Sequence, residues 1–322
     1  MSAVTDQFAV PSAPVRKTPM GTFDLIFRNA SFLAALFVLV LLAGIMLSMV
    51  VGGWPAFREF GFGFITSSVW DTQNEQYGAW PAIVGTLSTA LIALVVGVPL
   101  SLGIAVFLTQ LAPPWFKQPV STAIELLAAV PSISYGMWGL FVFAPLFAAY
   151  VQIPLSNIVE GMPIIGTVLY SRSPSGLGIL TAGIILAFMI IPFIASITRD
   201  MLDQIPSVLR ESAYGIGATT WEVVRHVLVP QAGVSIIGAI MLGLGRALGE
   251  TMAVTFVVGN ANRLSSSVMD PGSTIASRIA NEFNEALGLQ LNSLIALGCI
   301  LFFVTFVVLV IARLLVARVK RY

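Results

Sequence analysis

Six apolar runs, each long enough to cross the hydrocarbon core of a bilayer, dominate this sequence. A membrane-spanning helix needs about 20 predominantly apolar residues. Lipid offers no partner for free backbone N–H and C=O groups, so runs of this length cross as helices. The sequence therefore predicts an all-α integral membrane protein with six transmembrane helices. The runs cover residues 30–51, 81–111, 119–150, 176–198, 231–258 and 290–315.

The composition excludes several other classes of protein. Hydrophobic residues make up 57% of the chain and charged residues 10%, whereas soluble domains carry about 25% charged residues. The net charge of +1 supplies no basic surface for nucleic acid. Cys299 and His226 are the sole cysteine and histidine, which excludes a disulfide framework, a multi-cysteine metal site and a histidine-based zinc or catalytic site. We expect no cofactor.

The positions of Lys and Arg predict the orientation, because positive residues near the spans stay in the cytoplasm. With six spans, eleven of these residues fall on one side, four on the other, and Arg246 within a span. Both termini are therefore expected in the cytoplasm. The eleven are Arg16, Lys17, Arg28, Lys117, Arg199, Arg210, Arg225, Arg313, Arg318, Lys320 and Arg321, and the four are Arg58, Arg172, Arg263 and Arg278.

The same pattern predicts how the chain is divided. We expect a single membrane domain that contains a charged cytoplasmic segment, preceded by a separate first helix. The loops near 53–80, 151–175 and 259–290 are expected on the outer face. The predicted parts are a tail over 1–28, a first transmembrane helix over 29–52, a loop over 53–80, the membrane domain over 81–317 with the charged segment at 206–230, and a tail over 318–322.

The charged segment 206–230 predicts two short helices. Pro206 suits a first helical turn, and the first helix should run to about Tyr214. Gly215 and Gly217 allow a sharp turn. A second helix should start near Thr219 or Thr220, where a hydroxyl can cap it, and end before Pro230, which cannot continue the hydrogen-bond ladder. A hairpin lying on the membrane surface is the alternative reading of this pattern.

Arg246 and Glu250 place two charges inside the fifth apolar run. A charge at mid-bilayer costs about 2.5–3.5 kcal/mol on insertion scales, so such residues normally face a bundle interior and find partners. Four residues apart on a helix, the two side chains share a face and are expected to pair. Either the pair is only structural, or Arg246 meets a passing anion, since a guanidinium fork matches two oxygens of an oxyanion.

The third apolar run is broken and polar at Val130-Pro131-Ser132-Ile133-Ser134-Tyr135-Gly136. The hydroxyl groups of Ser132, Ser134 and Tyr135 either contact a passing anion or satisfy carbonyl groups freed by the break. Glu125 precedes this break. It is a possible ion-pair partner of Arg246 across the bundle, or it lies near the cytoplasmic mouth, where a carboxylate is tolerated.

Two groups of residues carry a resemblance to a known family. Glu211-Ser212-Ala213, Gly217 and Val227-Leu228-Val229-Pro230 resemble the EAA motif of bacterial ABC-importer permeases, with Ser212 where the family often has Ala. Gly245–Val254 and Val130–Gly136 are similar to signatures of phosphate-importer permeases. The N-terminal tail and the 53–80 segment resemble the PstC type more than the PstA type.

This resemblance implies the type I ABC importer permease fold and a transport subunit that is not an enzyme. Indeed, the sequence has no phosphate loop for ATP. The implied partners are an ATPase dimer (PstB-like), a second permease (PstA-like), a soluble phosphate-binding protein (PstS-like) and phosphate. The implied substrate path includes Arg246, Glu250, Ser132 and Ser134, and the implied coupling residues are Glu211, Ser212, Ala213, Gly217, Leu228 and Pro230.

Three other functions stay open at this point. The first is a permease for another oxyanion such as sulfate or molybdate, since an arginine serves all of them. The second is a proton-coupled secondary transporter that uses Glu250 or Glu125 as a relay, although the paired broken helices typical of that class are not visible in the sequence. The third is a sensor or scaffold whose 206–230 segment binds a regulator.

Overall fold

The computed structural model describes residues 22–163, 165–172 and 174–319. These residues include six helices that are long and apolar enough to cross a membrane, which confirms the predicted fold class. The six spans run over Phe23–Phe60, Trp80–Leu111, Ser132–Val159, Ile179–Asp203, Thr220–Gly249 and Gly288–Leu314.

The spans and their connections are built from fifteen helices and one small hairpin within the described residues. Four π-helical turns continue helices across Phe107–Leu111, Gly139–Phe143, Ala148–Gln152 and Val224–Leu228. The elements are α1 (Thr22–Phe60), α2 (Gly63–Thr66), β1 (Trp70–Asp71), β2 (Gln76–Tyr77), α3 (Trp80–Val106), α4 (Pro114–Ala128), α5 (Ser132–Trp138), α6 (Ala144–Phe147), α7 (Ile153–Val159), α8 (Ile165–Leu169), α9 (Ile179–Asp203), α10 (Ser207–Gly215), α11 (Thr220–Val223), α12 (Val229–Gly249), α13 (Met252–Val257), α14 (Ile275–Glu282) and α15 (Gly288–Val319).

The third span differs most from the prediction. Residues 119–150 were expected to cross, but α4 ends at Ala128 and a new helix starts at Ser132. Pro131 explains the separation, because proline restricts the residue before it to extended backbone. The crossing therefore lies at Ser132–Val159, and α4 is a separate helix with no buried residue.

The two ends of the chain also depart from the predicted boundaries. Most of the predicted tail, residues 1–21, lies outside the described residues, and α1 extends from Thr22 to Phe60, beyond the predicted 29–52. At the other end, α15 continues to Val319. Among the described residues, 22–48 form a unit separate from the rest of the chain. Within this first unit, every side chain from Phe23 to Ser48 is exposed, as expected for a helix surrounded by lipid.

The core of the second unit lies where α3, α9 and α12 pack together. Small residues permit the close approach: a methyl group on Gly183 would lie 2.6 Å from Cβ of Ile92, and one on Gly243 would lie 2.7 Å from a side-chain carbon of Ile194. Close packing of membrane helices relies on such residues. The fifth span is thereby held against the fourth along one face, and its other face is left open.

A hairpin that the sequence pattern did not predict lies between α2 and α3. Trp70 and Tyr77 pair across β1 and β2, and their rings lie edge to face at 5.0 Å. The Arg278 guanidinium of α14 stands 4.6 Å from the Trp70 ring centroid. This contact joins the connection after the first span to the connection after the fifth.

Candidate functional site

The fifth span is interrupted next to its two charges. Helix α12 ends at Gly249, Glu250 has extended backbone angles (φ −71°, ψ 126°), and α13 begins at Met252. Glu250 directly follows the last helical residue, so it still lies one turn beyond Arg246 on the same face. The predicted Arg246–Glu250 ion pair is wrong: among the described residues, no carboxylate oxygen lies within 4.0 Å of the Arg246 guanidinium.

Arg246 is exposed on the open face of α12. Gly245 and Gly249 flank it, and a methyl group on either would meet nothing within 4 Å, whereas Gly243 faces the core. Of the three glycines, Gly243 therefore serves close packing within the described residues. A guanidinium on an uncovered face next to a helix break can bind an anion.

The two signature segments, far apart in the sequence, meet in the structure. Helix α5, in the third span, packs on α13, which follows the break in the fifth. The contact is close at Gly136, where a methyl group would lie 2.8 Å from a ring carbon of Phe256 and 3.0 Å from Cα of Ala253. The sequence placed a break at Gly136, but the helix runs through it, and the glycine provides the close approach.

The hydroxyl groups around Pro131 divide into two roles. Tyr135 donates a hydrogen bond of 2.9 Å to the Leu127 carbonyl oxygen, whose usual helical donor four residues later would be the nitrogen of Pro131, which carries no hydrogen. Ser134 lines a cavity of about 360 Å³ beside Tyr135. Ser132 opens α5 and is half-buried. Tyr135 thus satisfies a freed carbonyl, and Ser134 has its side chain beside open space.

Glu125 pairs with Arg199 rather than with Arg246. Its Oε1 lies 2.8 Å from Arg199 Nη2, and Asp200 contacts the same guanidinium. A second ion pair, Lys117–Asp203 at 3.0 Å, also joins α4 to the end of α9. Glu125 therefore lies at the end of the bundle from which α10 leaves. Neither contact is predictable from the sequence, because ion pairs between two separate helices leave no local pattern.

The segment 206–230 begins as the sequence predicts, with a short helix, a glycine turn and a capped start of a second helix. Helix α10 runs from Ser207 to Gly215, and Gly217 has a φ of 90°, the left-handed backbone that favours glycine. Thr219 caps the next helix: its Oγ1 accepts from the Glu222 N–H at 3.4 Å, and Glu222 Oε2 accepts from the Thr219 N–H at 2.7 Å. This reciprocal capping box stiffens the turn.

The helix after this turn does not end before Pro230. It continues through the π-helical turn at Val224–Leu228 into α12, so the predicted end is wrong. Proline removes one hydrogen bond from the ladder, and the wider π turn directly before it accommodates the irregularity. The helix that starts at Thr220 and the fifth span are therefore one continuous helical element, which can transmit movement along its axis.

The residues of the EAA-like motif divide into anchors and an exposed surface. Leu228 is fully buried and Ala213 is half-buried, and both pack in a cluster with Leu202 of α9 and Ala105 of α3. The other motif residues are exposed: Glu211, Ser212, Gly217 and Pro230.

Apolar side chains extend the exposed surface around α10, which has no buried residue. Ile216 is 89% and Val208 is 66% exposed. A cavity of about 410 Å³ opens between α10 and the following helix, with Gly217 and His226 in its lining. Exposed apolar groups of this kind mark a surface that contacts another protein or a membrane.

One protein family matches most of this chain. Residues 97–321 match the family described as "Binding-protein-dependent transport system inner membrane component". The match covers the end of the second span, the last four spans, the segment 206–230 and both signature segments. A membrane component of a transport system agrees with the prediction of a transport subunit that is not an enzyme.

Individual relatives extend the likeness over nearly the whole chain. The chain is 53% identical over 298 residues to the phosphate transport system permease protein PstC of Pasteurella multocida, covering 92% of this chain and 93% of that protein. It is 52% identical over 326 residues to the protein of the same name from Mesorhizobium japonicum, covering 99% and 98%. The PstC 1 protein of Mycobacterium tuberculosis is 35% identical over 275 residues, covering 83% and 80%.

A solved structure shares the fold. A chain of a bacterial alginate ABC transporter, crystallised with an alginate-bound periplasmic protein, aligns with a TM-score of 0.60 at 18% identity, covering 92% of this chain and 98% of that chain. At this identity, the likeness bears on the fold alone. It agrees with the predicted type I importer permease architecture.

Proposed function

We propose that this chain is a permease subunit of an ATP-driven importer of inorganic phosphate. The reason is that it belongs to the family of binding-protein-dependent transport-system inner membrane components, and within that family to the PstC permeases. The relatives named phosphate transport system permeases support this substrate. The observation that carries the proposal is the exposure of Arg246 on the open face of α12, beside the break at Glu250.

An arginine on such a face needs a covering partner. Facing lipid, the guanidinium would cost several kcal/mol. Gly245 and Gly249 stand one turn apart on the same face with open space beside them, and small residues at this spacing favour close packing of a second helix. We infer that a second, PstA-like permease subunit covers this face and that the phosphate path lies between the two subunits, with Arg246, Glu250, Ser132 and Ser134 along it.

The energy for transport comes from another subunit, since the chain has no phosphate loop for ATP. Helix α10 and the exposed motif residues Glu211, Ser212, Gly217 and Pro230 form the surface proposed to dock on a PstB-like ATPase dimer. Ala213 and Leu228 anchor that surface to the spans. Because the helix that follows the turn at Gly217 continues into α12, a push on the docking surface moves the helix that carries Arg246.

The proposed location is the bacterial inner membrane, with both termini in the cytoplasm. The Lys and Arg distribution supports this orientation. The loops at 53–80, 151–175 and 259–290 then face outward, where a PstS-like binding protein delivers phosphate. Within the membrane domain proposed over 81–317, segment 206–230 is the part that reaches the ATPase.

Reconstitution in proteoliposomes tests the proposal. The chain, assembled with its second permease, its ATPase and the phosphate-loaded binding protein, should accumulate labelled phosphate inside the vesicles when ATP is supplied on the ATPase side. Sulfate and molybdate, offered in the same assay, identify the preferred oxyanion. Uptake by this chain alone, driven by a proton gradient without ATP, would contradict the proposal and favour a secondary transporter.

A further inference from the structure

Two connections on the side of the bundle opposite α10 are joined by a buried polar network. Asp270, which is 3% exposed, lies after the fifth span. Its Oδ1 accepts hydrogen bonds from Ser171 Oγ at 3.3 Å and from the Arg172 N–H at 3.1 Å, and its Oδ2 accepts from Ser265 Oγ at 2.7 Å. The buried carboxylate therefore holds the backbone beside Arg172 and the segment that carries Arg263.

Gln152, 1% exposed, strengthens the same connection from the third span. Its Nε2 donates to Ser171 Oγ at 3.0 Å and to the Met269 carbonyl oxygen at 2.9 Å, while its Oε1 accepts from the Gly176 N–H at 2.7 Å. A buried network whose members are satisfied in this way rigidifies its surroundings. The two connections thus form one frame.

A cavity of about 360 Å³ opens above this frame, and Arg172 and Arg263 both line it. Both arginines are exposed, and among residues 22–163, 165–172 and 174–319 neither has a carboxylate oxygen within 4.0 Å. Asp270 also lines the cavity, with its oxygens bound to the three neutral donors of the network. Two guanidinium groups against one carboxylate leave the cavity with a net positive charge.

We propose that Arg172, Arg263 and the neighbouring Ser266, here called the outer arginine site, bind an inorganic oxyanion before it enters the membrane path. Guanidinium groups bind oxyanions through paired N–H donors. Ser266 adds a hydroxyl, whereas the Ser265 hydroxyl is already bound to Asp270. The inference rests on the proposed function, because the docking surface around α10 defines the inner side and makes this side the outer one.

Cysteine labelling tests the outer arginine site. Leu264 lines the cavity and is 44% exposed, so Leu264→Cys in a Cys299→Ser background is a suitable reporter. The assembled transporter is labelled with an anionic, membrane-impermeant thiol reagent, in membranes that lack the soluble binding protein. Inorganic phosphate, at ionic strength matched with chloride, should slow the labelling. The Arg172→Gln/Arg263→Gln double variant should label about tenfold more slowly without phosphate and show no phosphate effect.

Arg58→Gln is the matched control, because it removes an exposed cation of the same predicted side that does not line the cavity. It should leave both the labelling rate and the phosphate effect unchanged. If the Leu264→Cys variant does not assemble, Asn262→Cys reports from the adjacent exposed position.

A reporter that labels at the same rate with and without phosphate overturns the proposal, and so does phosphate protection that persists in the double arginine variant. If phosphate does not slow the labelling, the two arginines instead bind carboxylates of a partner protein. ATP-driven uptake is measured separately. Its absence, with phosphate protection intact, would contradict the proposed function and leave the outer arginine site standing.

Discussion

Gly136 lies directly against the backbone of Ala253: a methyl group on the glycine would stand 3.0 Å from the alanine Cα. The contact joins the third span, just after its break at Pro131, to the short helix after the break in the fifth. The break in the fifth span lies at Glu250, four residues after Arg246. The contact therefore fixes how the start of the third span sits against the interrupted fifth span.

Replacing Gly136 with alanine should destabilise this junction. The added methyl group would fall 2.8 Å from a ring carbon of Phe256, and such overpacking costs about 1–3 kcal/mol. We expect Gly136→Ala to lower the midpoint of heat-induced aggregation of the purified complex and to reduce uptake. Gly103→Ala, where the methyl group would meet nothing within 4 Å, is the control. Equal midpoints for the two variants would show that the close approach is not a constraint.

Arg246→Gln should abolish phosphate uptake while the chain still inserts and assembles. The substitution removes the charge from the open face of α12, and no ion pair within the described residues is broken by it. Arg246→Lys should retain part of the activity, because lysine keeps the charge but lacks the planar fork. Uptake of labelled phosphate, normalised to the amount of protein in the membrane, measures both. Wild-type uptake by the glutamine variant would remove Arg246 from the path.

Glu211→Lys should uncouple the permease from its ATPase. Glu211 is exposed on α10, next to apolar groups that the chain itself leaves uncovered. Reversing its charge at the docking surface should reduce both co-purification of the ATPase and ATP-dependent uptake. Glu285→Lys, an exposed carboxylate after the fifth span, is the charge-matched control and should leave co-purification unchanged. Full transport by Glu211→Lys would argue against docking at α10.

Much of this fold follows from local patterns in the sequence. Run length and hydropathy predicted six spans, because backbone hydrogen bonding in lipid leaves few alternatives. The capped turn at Thr219 and the left-handed Gly217 were also predictable, since each depends on one or two neighbouring residues. The resemblance to importer permeases identified which exposed residues form the proposed docking surface.

The features that the sequence could not predict depend on contacts between distant elements. The spacing of Arg246 and Glu250 suggested a pair, but the helix ends at Gly249 and the chain turns there into α13, which packs on α5. Glu125 pairs with Arg199, which lies on another helix. No local pattern specifies either outcome, since both arise from how three spans come together.

Arg278 and Glu282 form a buried charged cluster at the unpredicted hairpin. Arg278 is 3% exposed, its Nη2 donates to Ser273 Oγ at 2.8 Å, and its Nη1 lies 3.7 Å from Glu282 Oε1. Glu282 Oε2 accepts from Trp70 Nε1 at 2.9 Å. Burial lowers the pKa of Arg278 to about 10, an effect that the Glu282 charge opposes. Because this folded-state pKa lies below the ordinary value, the charged guanidinium opposes folding at neutral pH. This loss of stability declines only as the pH rises through the folded-state pKa.

Glu282→Gln should therefore destabilise the outer connections, because it leaves the buried guanidinium without its counter-charge while preserving an acceptor for Trp70. Removing one partner of a buried ion pair costs on the order of 3 kcal/mol. Heat-induced loss of monodisperse protein in detergent measures the effect. The Arg278→Met/Glu282→Gln double variant removes the stranded cation and should recover part of the loss. A double variant less stable than Glu282→Gln would show instead that the arginine acts mainly through its contacts with Trp70 and Ser273.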